Sequence, residues 1–379
     1  MRNIYMSYRF ADLFCGCGGM SLGLINAGFE DIIAADYWEV AKKNYLSYHR
    51  LSNTNFHQTN MFVEEERKEL QQSIIDSNID LLVGGPPCQG FSTLGKREEK
   101  DSRNTLVEAY LHMAISIKPK MIIMENVPAI QSMKHSSGKR YPEYAKELLG
   151  THGYYAETVF IEGSQVGLAQ TRKRLFLIAV NKDYVVEINN FTKVLSDTIK
   201  KLQPATACAT LRDAIGDLPH LQSGEGSDEY FIGDSVIYNH CVFKYEPNTL
   251  ERIKAVPTNG GLQDIPDELL SNHLKKMKSG GYGSGGFVKN LYGRLNWDLP
   301  SGTVVAGIKK ITCGRFFHPK DDRLLTVREA ARLQSFPDDY KFLGSFTDQY
   351  TIVGNAVPPK FSEFVGKVLI DIFERYNKR

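Results

Sequence analysis

The chain has 379 residues, 42% hydrophobic and 24% charged, enough for a sizeable core and for two or so structural units at roughly 150 residues per domain, which excludes a single compact peptide module. No run approaches the roughly 18 consecutive apolar residues of a membrane helix, and the opening MRNIYMSYRFADLF lacks the apolar stretch and cleavage site of a secretory signal, so a cytoplasmic protein with no membrane partner is expected. A net charge of +2 names no partner by itself, and six cysteines without a C-x-x-C pair fit free thiols, with no metal centre expected.

The first 180 or so residues alternate short apolar runs with longer amphipathic stretches. Candidate strands are RFADLF (9–14), DIIAADY (31–37), IDLLVGG (79–85), KMIIMENV (120–127) and RLFLIAV (174–180). This alternation predicts an α/β fold, a parallel sheet with helices on both faces. Ligand-binding and catalytic residues then belong in the loops at the carboxyl ends of the strands.

The first strand runs into Asp12-Leu13-Phe14-Cys15-Gly16-Cys17-Gly18-Gly19, where glycines let the backbone approach a ligand closely. A nicotinamide fingerprint G-x-G-x-x-G needs glycine at 21, where Ser21 stands. Asp36 ends the second strand, 20 residues after Gly16, where a carboxylate can accept both hydroxyls of a ribose. Together these suit an adenosine ligand without a pyrophosphate, and a ligand-free tight turn is the alternative.

After the third strand comes Gly84-Gly85-Pro86-Pro87-Cys88-Gln89-Gly90-Phe91-Ser92. Glycines and prolines shape an irregular loop, and the next side chain is a thiol, a competent nucleophile once ionised; a small core residue is the alternative. Glu125 in Glu125-Asn126-Val127-Pro128 is a candidate proton donor on the same edge. In Gln170-Thr171-Arg172-Lys173-Arg174 the two arginines would share one strand face and suit a base carbonyl or a phosphate, or form a solvated strand start.

From about 185 to 300 the pattern weakens into a second, less regular domain, with a glycine-rich loop SGGYGSGG (279–286) that is either a clamp or a surface connection. Helical spacing returns in LTVREAARLQSFPDDY, where Thr326 and Glu329 form a capping box and Pro337 follows the end. After Pro358 and Pro359, the stripe Phe361, Phe364, Val365, Val368, Leu369, Ile372 and Phe373 reads as a packing face.

These residues, in this order, resemble the cytosine-C5 DNA methyltransferase family of the bacterial restriction-modification type. The resemblance rests on DLFCGCGG, Asp36, GGPPCQGFS, ENV, QTRKR, RLLTVREAARLQSFPD and GNAV (354–357). It implies a Rossmann-like S-adenosyl-L-methionine domain over 1–184 plus 346–379, and a smaller target-recognition domain with its supporting helix over 185–345. It implies that Cys88 adds to cytosine C6, that Glu125 protonates N3, and that Arg172, with Arg174 beside it, holds O2. By the same mapping Phe14, Gly16, Gly18, Gly19, Asp36, Tyr37, Asn60, Pro87, Leu106 and Asn355 line the cofactor site. Asn60 departs from the family, which often has aspartate there.

Duplex DNA is the implied partner, contacted by Gln89, Ser92, Lys96, Arg97, Arg103, Thr303 and Arg294. Further base readers are sought among Lys275, Lys276, Lys278, Tyr282, Lys289, Asn290 and Tyr292. The flipped base is the implied substrate, and a monomer paired with a restriction endonuclease is the implied setting. An RNA cytosine methyltransferase is the near rival, but the Cys-Phe-Thr tripeptide of its transfer-RNA branch is absent. A non-catalytic DNA-binding relative would be expected to lack Cys88 or Glu125, and both are present.

Overall fold

Apolar runs that are buried on both faces become the centre of one seven-stranded sheet. A computed structural model describes residues 7–87, 104–204, 208–280 and 290–378. The chain divides into two units, the first comprising Met1–Val166, Lys173–Ala205 and Val357–Arg379, the second Gly167–Arg172 and Thr206–Ala356.

In the first unit the elements run β1 (Arg9–Leu13), α1 (Gly19–Ala27), β2 (Glu30–Asp36), α2 (Glu39–Tyr48), β3 (Phe56–Gln58), α3 (Glu64–Asp76), β4 (Leu81–Gly84), α4 (Asn104–Ile117), β5 (Met121–Asn126), α5 (Tyr141–Thr151), β6 (Tyr154–Glu162), β7 (Lys173–Asn181) and α6 (Phe191–Leu202). The sheet order is β3-β2-β1-β4-β5-β7-β6. Every residue of β4 and β5 is buried, which is why these strands read as unbroken apolar runs rather than alternating ones. The Tyr110 hydroxyl of α4 lies 3.1 Å from the Leu82 carbonyl and 2.8 Å from that of Ile123, fastening the helix across β4 and β5.

One expectation is corrected. The sheet is not wholly parallel, because β7 pairs antiparallel with both β5 and β6. Asn126 at the carboxyl end of β5 therefore lies opposite Leu175 near the amino end of β7. The start of β7 thus reaches the functional edge that the other strands reach at their ends.

The C-terminal helix Pro359–Tyr376 buries all seven residues of its expected stripe, with Phe361 beside Phe176 of β7 at 6.0 Å between ring centroids. It also holds α6 through a Lys201–Asp371 ion pair. Hence α6 sits in the first unit, whereas a boundary at 184 had set it in the recognition region.

The second unit contains α7 (Leu211–Ile215), an antiparallel hairpin of β8 (Gly226–Ile232) and β9 (Ser235–Cys241), α8 (Pro247–Lys254), α9 (Asn272–Lys278), the short parallel pair β10 (Gly293–Arg294) and β11 (Arg315–Phe317), α10 (Val327–Leu333) and α11 (Phe346–Asn355). The capping box of α10 is present: Glu329 N–H donates to Thr326 Oγ1 at 3.1 Å, and Thr326 N–H to Glu329 Oε2 at 2.7 Å. The region 346–356 packs here, with the Gln334 amide donating to the Val353 carbonyl at 2.8 Å.

Such irregular backbone needs other partners for its buried carbonyls. Arginines supply them. Arg328 donates to the carbonyls of Tyr238 and Pro337, both at 2.8 Å, and to that of Tyr340. Arg323 forms a bidentate pair with Glu329 at 2.7 and 2.8 Å and reaches Asp321 at 2.9 Å.

Candidate active site

The chain leaves β1 through a turn that turns back on itself, with positive φ at Phe14 (61°), Gly16 (55°) and Gly18 (79°). Phe14 carries a Cβ in that region, a strained choice that clusters at ligand-holding sites. A Cβ on Gly18 would stand 2.2 Å from His49 Nε2, so no larger residue fits, whereas one on Gly16 meets nothing within 4 Å. The turn therefore presents open space on one side and is tightly backed on the other. Gly19 is the buried first residue of α1.

Asp36 ends β2 beside this turn. Its Oδ2 accepts the Gly16 N–H at 3.0 Å and its Oδ1 the Trp38 N–H at 2.9 Å. These N–H groups fix the carboxylate at the edge of the turn, where its oxygens can accept from the hydroxyls of a ribose. Burial raises the Asp36 pKa, and the surrounding N–H donors pull it back. Tyr37, the next residue, is 71% exposed, an aromatic face beside the carboxylate. Open backbone, paired acceptors and an exposed ring fit an adenosine-bearing cofactor.

At the adjoining strand ends Glu125 and Arg174 form an ion pair, Arg174 Nε 2.8 Å from Glu125 Oε1, with both side chains about nine-tenths buried. Arg174 Nη1 donates to the Lys173 carbonyl at 2.7 Å. Asn126 Nδ2 donates to the Pro86 carbonyl at 3.1 Å, and Asn126 Oδ1 accepts the Val127 N–H at 2.8 Å. The ENV segment thus holds the proline loop in place, and a Cβ on Gly85 would lie 3.4 Å from Glu125 Oε2. Pro87, half-buried, is the last described residue before the thiol.

The two arginines divide differently from the expected scheme. Arg172 is buried in the second unit, where Nη1 donates to the Val304 carbonyl at 2.9 Å and Nη2 to that of Ala356 at 3.1 Å. Two of its nitrogens thus serve backbone carbonyls, whereas Arg174 is the arginine that stands against Glu125. Gln170 does similar work, donating to the Leu333 carbonyl at 3.0 Å while its Oε1 accepts the Val304 N–H at 2.9 Å.

Arg294 is corrected outright as a DNA contact. It is buried, and all its nitrogens are engaged: Nε with the Val256 carbonyl, Nη1 with those of His318 and Asp321, Nη2 with that of Ile253 and with Asp322 Oδ1, at 2.7–2.9 Å. A guanidinium so saturated cannot read a base. Tyr292 is buried too, and Lys278 is tied to Asp267 at 2.8 Å.

Among the other expected residues, Leu106 is buried in the core under α4, and Asn60 is exposed with its Oδ1 accepting the Phe62 N–H at 3.1 Å. Thr303 is half-buried beside Val304, and Asn355 is exposed at the end of α11. Cys88, Gln89, Ser92, Lys96, Arg97, Arg103, Tyr282 and Lys289 lie outside the described residues. Asn126 and Gln170 escaped sequence reasoning as positioning residues, although both stand inside motifs that were singled out.

Comparison with known proteins places these features in context. The family model described as C-5 cytosine-specific DNA methylase matches residues 8–371. The chain is 30% identical over 397 residues to Type II methyltransferase M.DdeI of Desulfomicrobium norvegicum, covering 97% of this chain and 89% of that one. It is 31% identical over 375 residues to Type II methyltransferase M1.HphI of Haemophilus parahaemolyticus, covering 96% and 87%. Among solved structures, a prophage-encoded protein of E. coli assigned as a DNA modification methyltransferase superposes with a TM-score of 0.71 at 22% identity, covering 97% of this chain and 100% of that one. The S. pombe Dnmt2 methyltransferase gives 0.62 at 14% identity over 97% and 99%. At such identities these two structures speak for the fold alone.

Proposed function

The chain belongs to the C-5 cytosine-specific DNA methylase family and is a DNA cytosine-5-methyltransferase; on that premise we propose that it methylates C5 of a cytosine flipped out of a specific duplex sequence, through a covalent bond from Cys88 to C6. The observation that carries this reading is the buried Glu125–Arg174 pair, set beside the proline loop that leads into Cys88.

Cytosine C5 is a poor nucleophile. Addition of the Cys88 thiolate to C6 breaks the C5=C6 π bond and, with a proton from Glu125 to N3, makes C5 enamine-like. Arg174 holds Glu125 in place and offers its guanidinium to O2, where charge develops. The Phe14–Gly18 turn, Asp36 and Tyr37 would hold S-adenosyl-L-methionine, which when bound would supply the methyl as an electrophile and leave as S-adenosylhomocysteine. Loss of the C5 proton to a base then restores the double bond as Cys88 leaves as thiolate, and N3 returns its proton to Glu125. A base stacked in a duplex cannot be reached in this way, so it must be extruded.

We further propose a bacterial, cytoplasmic, monomeric enzyme that protects host DNA from a paired endonuclease; the Type II methyltransferase names of the relatives support the restriction-modification part of this reading. No helix among the described residues is long and apolar enough to cross a membrane. Incubation with methyl-labelled S-adenosylmethionine and duplex DNA, followed by sequencing of modified cytosines, is expected to show 5-methylcytosine at one short recurrent sequence. Label appearing in transfer RNA and in no duplex would overturn the DNA reading.

A further inference from the structure

Beneath the glycine turn lies a line of buried oxygens that the methyl-transfer chemistry does not use. Ser21 Oγ is 2.6 Å from Asp12 Oδ2, Tyr45 Oη is 2.8 Å from Ser21 Oγ, and Tyr45 Oη is 2.6 Å from Asp31 Oδ2. These are three short contacts, yet the serine and tyrosine hydroxyls bring only two hydrogens. The third must come from a carboxyl. Asp12 is fully buried, and burial pushes its pKa well above the carboxylate range, whereas Asp31 rises only to about 6. Ser21 Oγ donates to Asp12, and the Tyr45 hydroxyl stands between Ser21 and Asp31, so with the carboxyl proton the four side chains form one continuous chain of hydrogen bonds.

The line joins the four elements that surround the turn. Asp12 is the penultimate residue of β1, Ser21 stands in the first turn of α1, Asp31 in β2 and Tyr45 in α2. Tyr45 also stacks on His49 at 4.2 Å between centroids, and His49 is the residue a Cβ on Gly18 would strike. Tyr45 therefore backs the turn by its ring and ties it by its hydroxyl.

We propose that Tyr45 is a positioning residue for cofactor binding, its hydroxyl completing the buried chain Asp12–Ser21–Tyr45–Asp31 that fixes the Phe14–Gly18 turn in its ligand-holding shape. This rests on the reading that the turn holds S-adenosylmethionine. The chain acts on binding and not on the methyl step, so its loss moves KM for the cofactor and leaves kcat.

The test uses the whole chain and four variants, Tyr45→Phe, Ser21→Ala, the double variant of these two, and Asp36→Ala, with S-adenosylmethionine affinity from calorimetry and kinetics on duplex DNA. Tyr45→Phe keeps the stacked ring and removes one oxygen. It is expected to raise the Kd and KM for the cofactor roughly tenfold, in keeping with a lost buried hydrogen bond, with kcat at saturating cofactor within about twofold of the parent. Ser21→Ala is expected to match it, and the double variant to cost little more than either alone, because both break one chain. Equal falls in kcat and cofactor affinity, or fully additive losses, would overturn the proposal, as would an unchanged KM. Asp36→Ala separates the two claims: if it weakens cofactor binding while Tyr45→Phe and Ser21→Ala do not, the positioning role fails alone, and if Asp36→Ala has no effect the assignment of the cofactor to this turn fails.

Discussion

Glu125→Gln is expected to lower kcat for methyl transfer by about 10²- to 10⁴-fold, the range lost when a positioned general acid is removed. The substitution keeps the shape of the side chain beside Arg174 and Gly85 but takes away the carboxyl group that would pass a proton to N3. Because Asp36 and the glycine turn are untouched, cofactor affinity is expected to stay within about twofold. Single-turnover measurement on duplex DNA isolates the chemical step from product release. A rate within about threefold of the parent would show that Glu125 is not the proton donor.

The second large effect concerns stability. Arg323→Met is expected to destabilise the protein by about 3–5 kcal/mol at pH 7, the usual cost of breaking a buried pair by removing one partner. Arg323 is fully buried and is the shared cation of Glu329 and Asp321, so methionine fills volume but leaves two carboxylates without it. The acid dependence follows from Glu329. Although burial opposes it, Arg323 brings the Glu329 pKa down to about 2, against 4.5 ordinarily. A depressed carboxylate contributes stability that is present above pH 4.5 and lost as pH falls toward 2. The gap between parent and variant in urea unfolding should therefore narrow as pH falls from 4.5 toward 2, where the parent loses the Glu329 contribution. A gap under about 1 kcal/mol at pH 7 would contradict this account.

How much of this was legible in the sequence depends on where each residue finds its partners. Strands β1, β2, β4, β5 and β7 announced themselves because a sheet covered on both faces needs unbroken apolar runs. β6 did not, since most of its residues are only half-buried, and β3 has just three residues. The direction of β7 was hidden because an apolar run has the same composition whichever way it points. That single reversal decides the active site, for it brings Arg174 to Glu125. The glycine turn and Asp36 were legible because their partners are local, within about 20 residues of each other.

The arginines were not legible. Arg172 meets carbonyls 132 and 184 residues further along the chain, and Arg294 those of loops on both sides of it in sequence. A basic residue in a region expected to touch DNA looks the same whether its guanidinium faces phosphate or satisfies buried backbone. In the second unit the backbone demand wins, because so little of it pairs in strands. Base readers are then to be sought among exposed groups, such as Lys275 on α9.

Covalent trapping tests the central claim most directly. In duplex DNA carrying 5-fluorocytosine at the target position, the fluorine cannot leave as the C5 proton does, so Cys88 cannot be eliminated after methyl transfer. With S-adenosylmethionine present, the parent enzyme is expected to form a complex with this DNA that survives denaturing electrophoresis, and Cys88→Ser to form none. A denaturant-stable complex that persists in Cys88→Ser, or a parent enzyme that methylates cytosine yet is never trapped, would contradict the account.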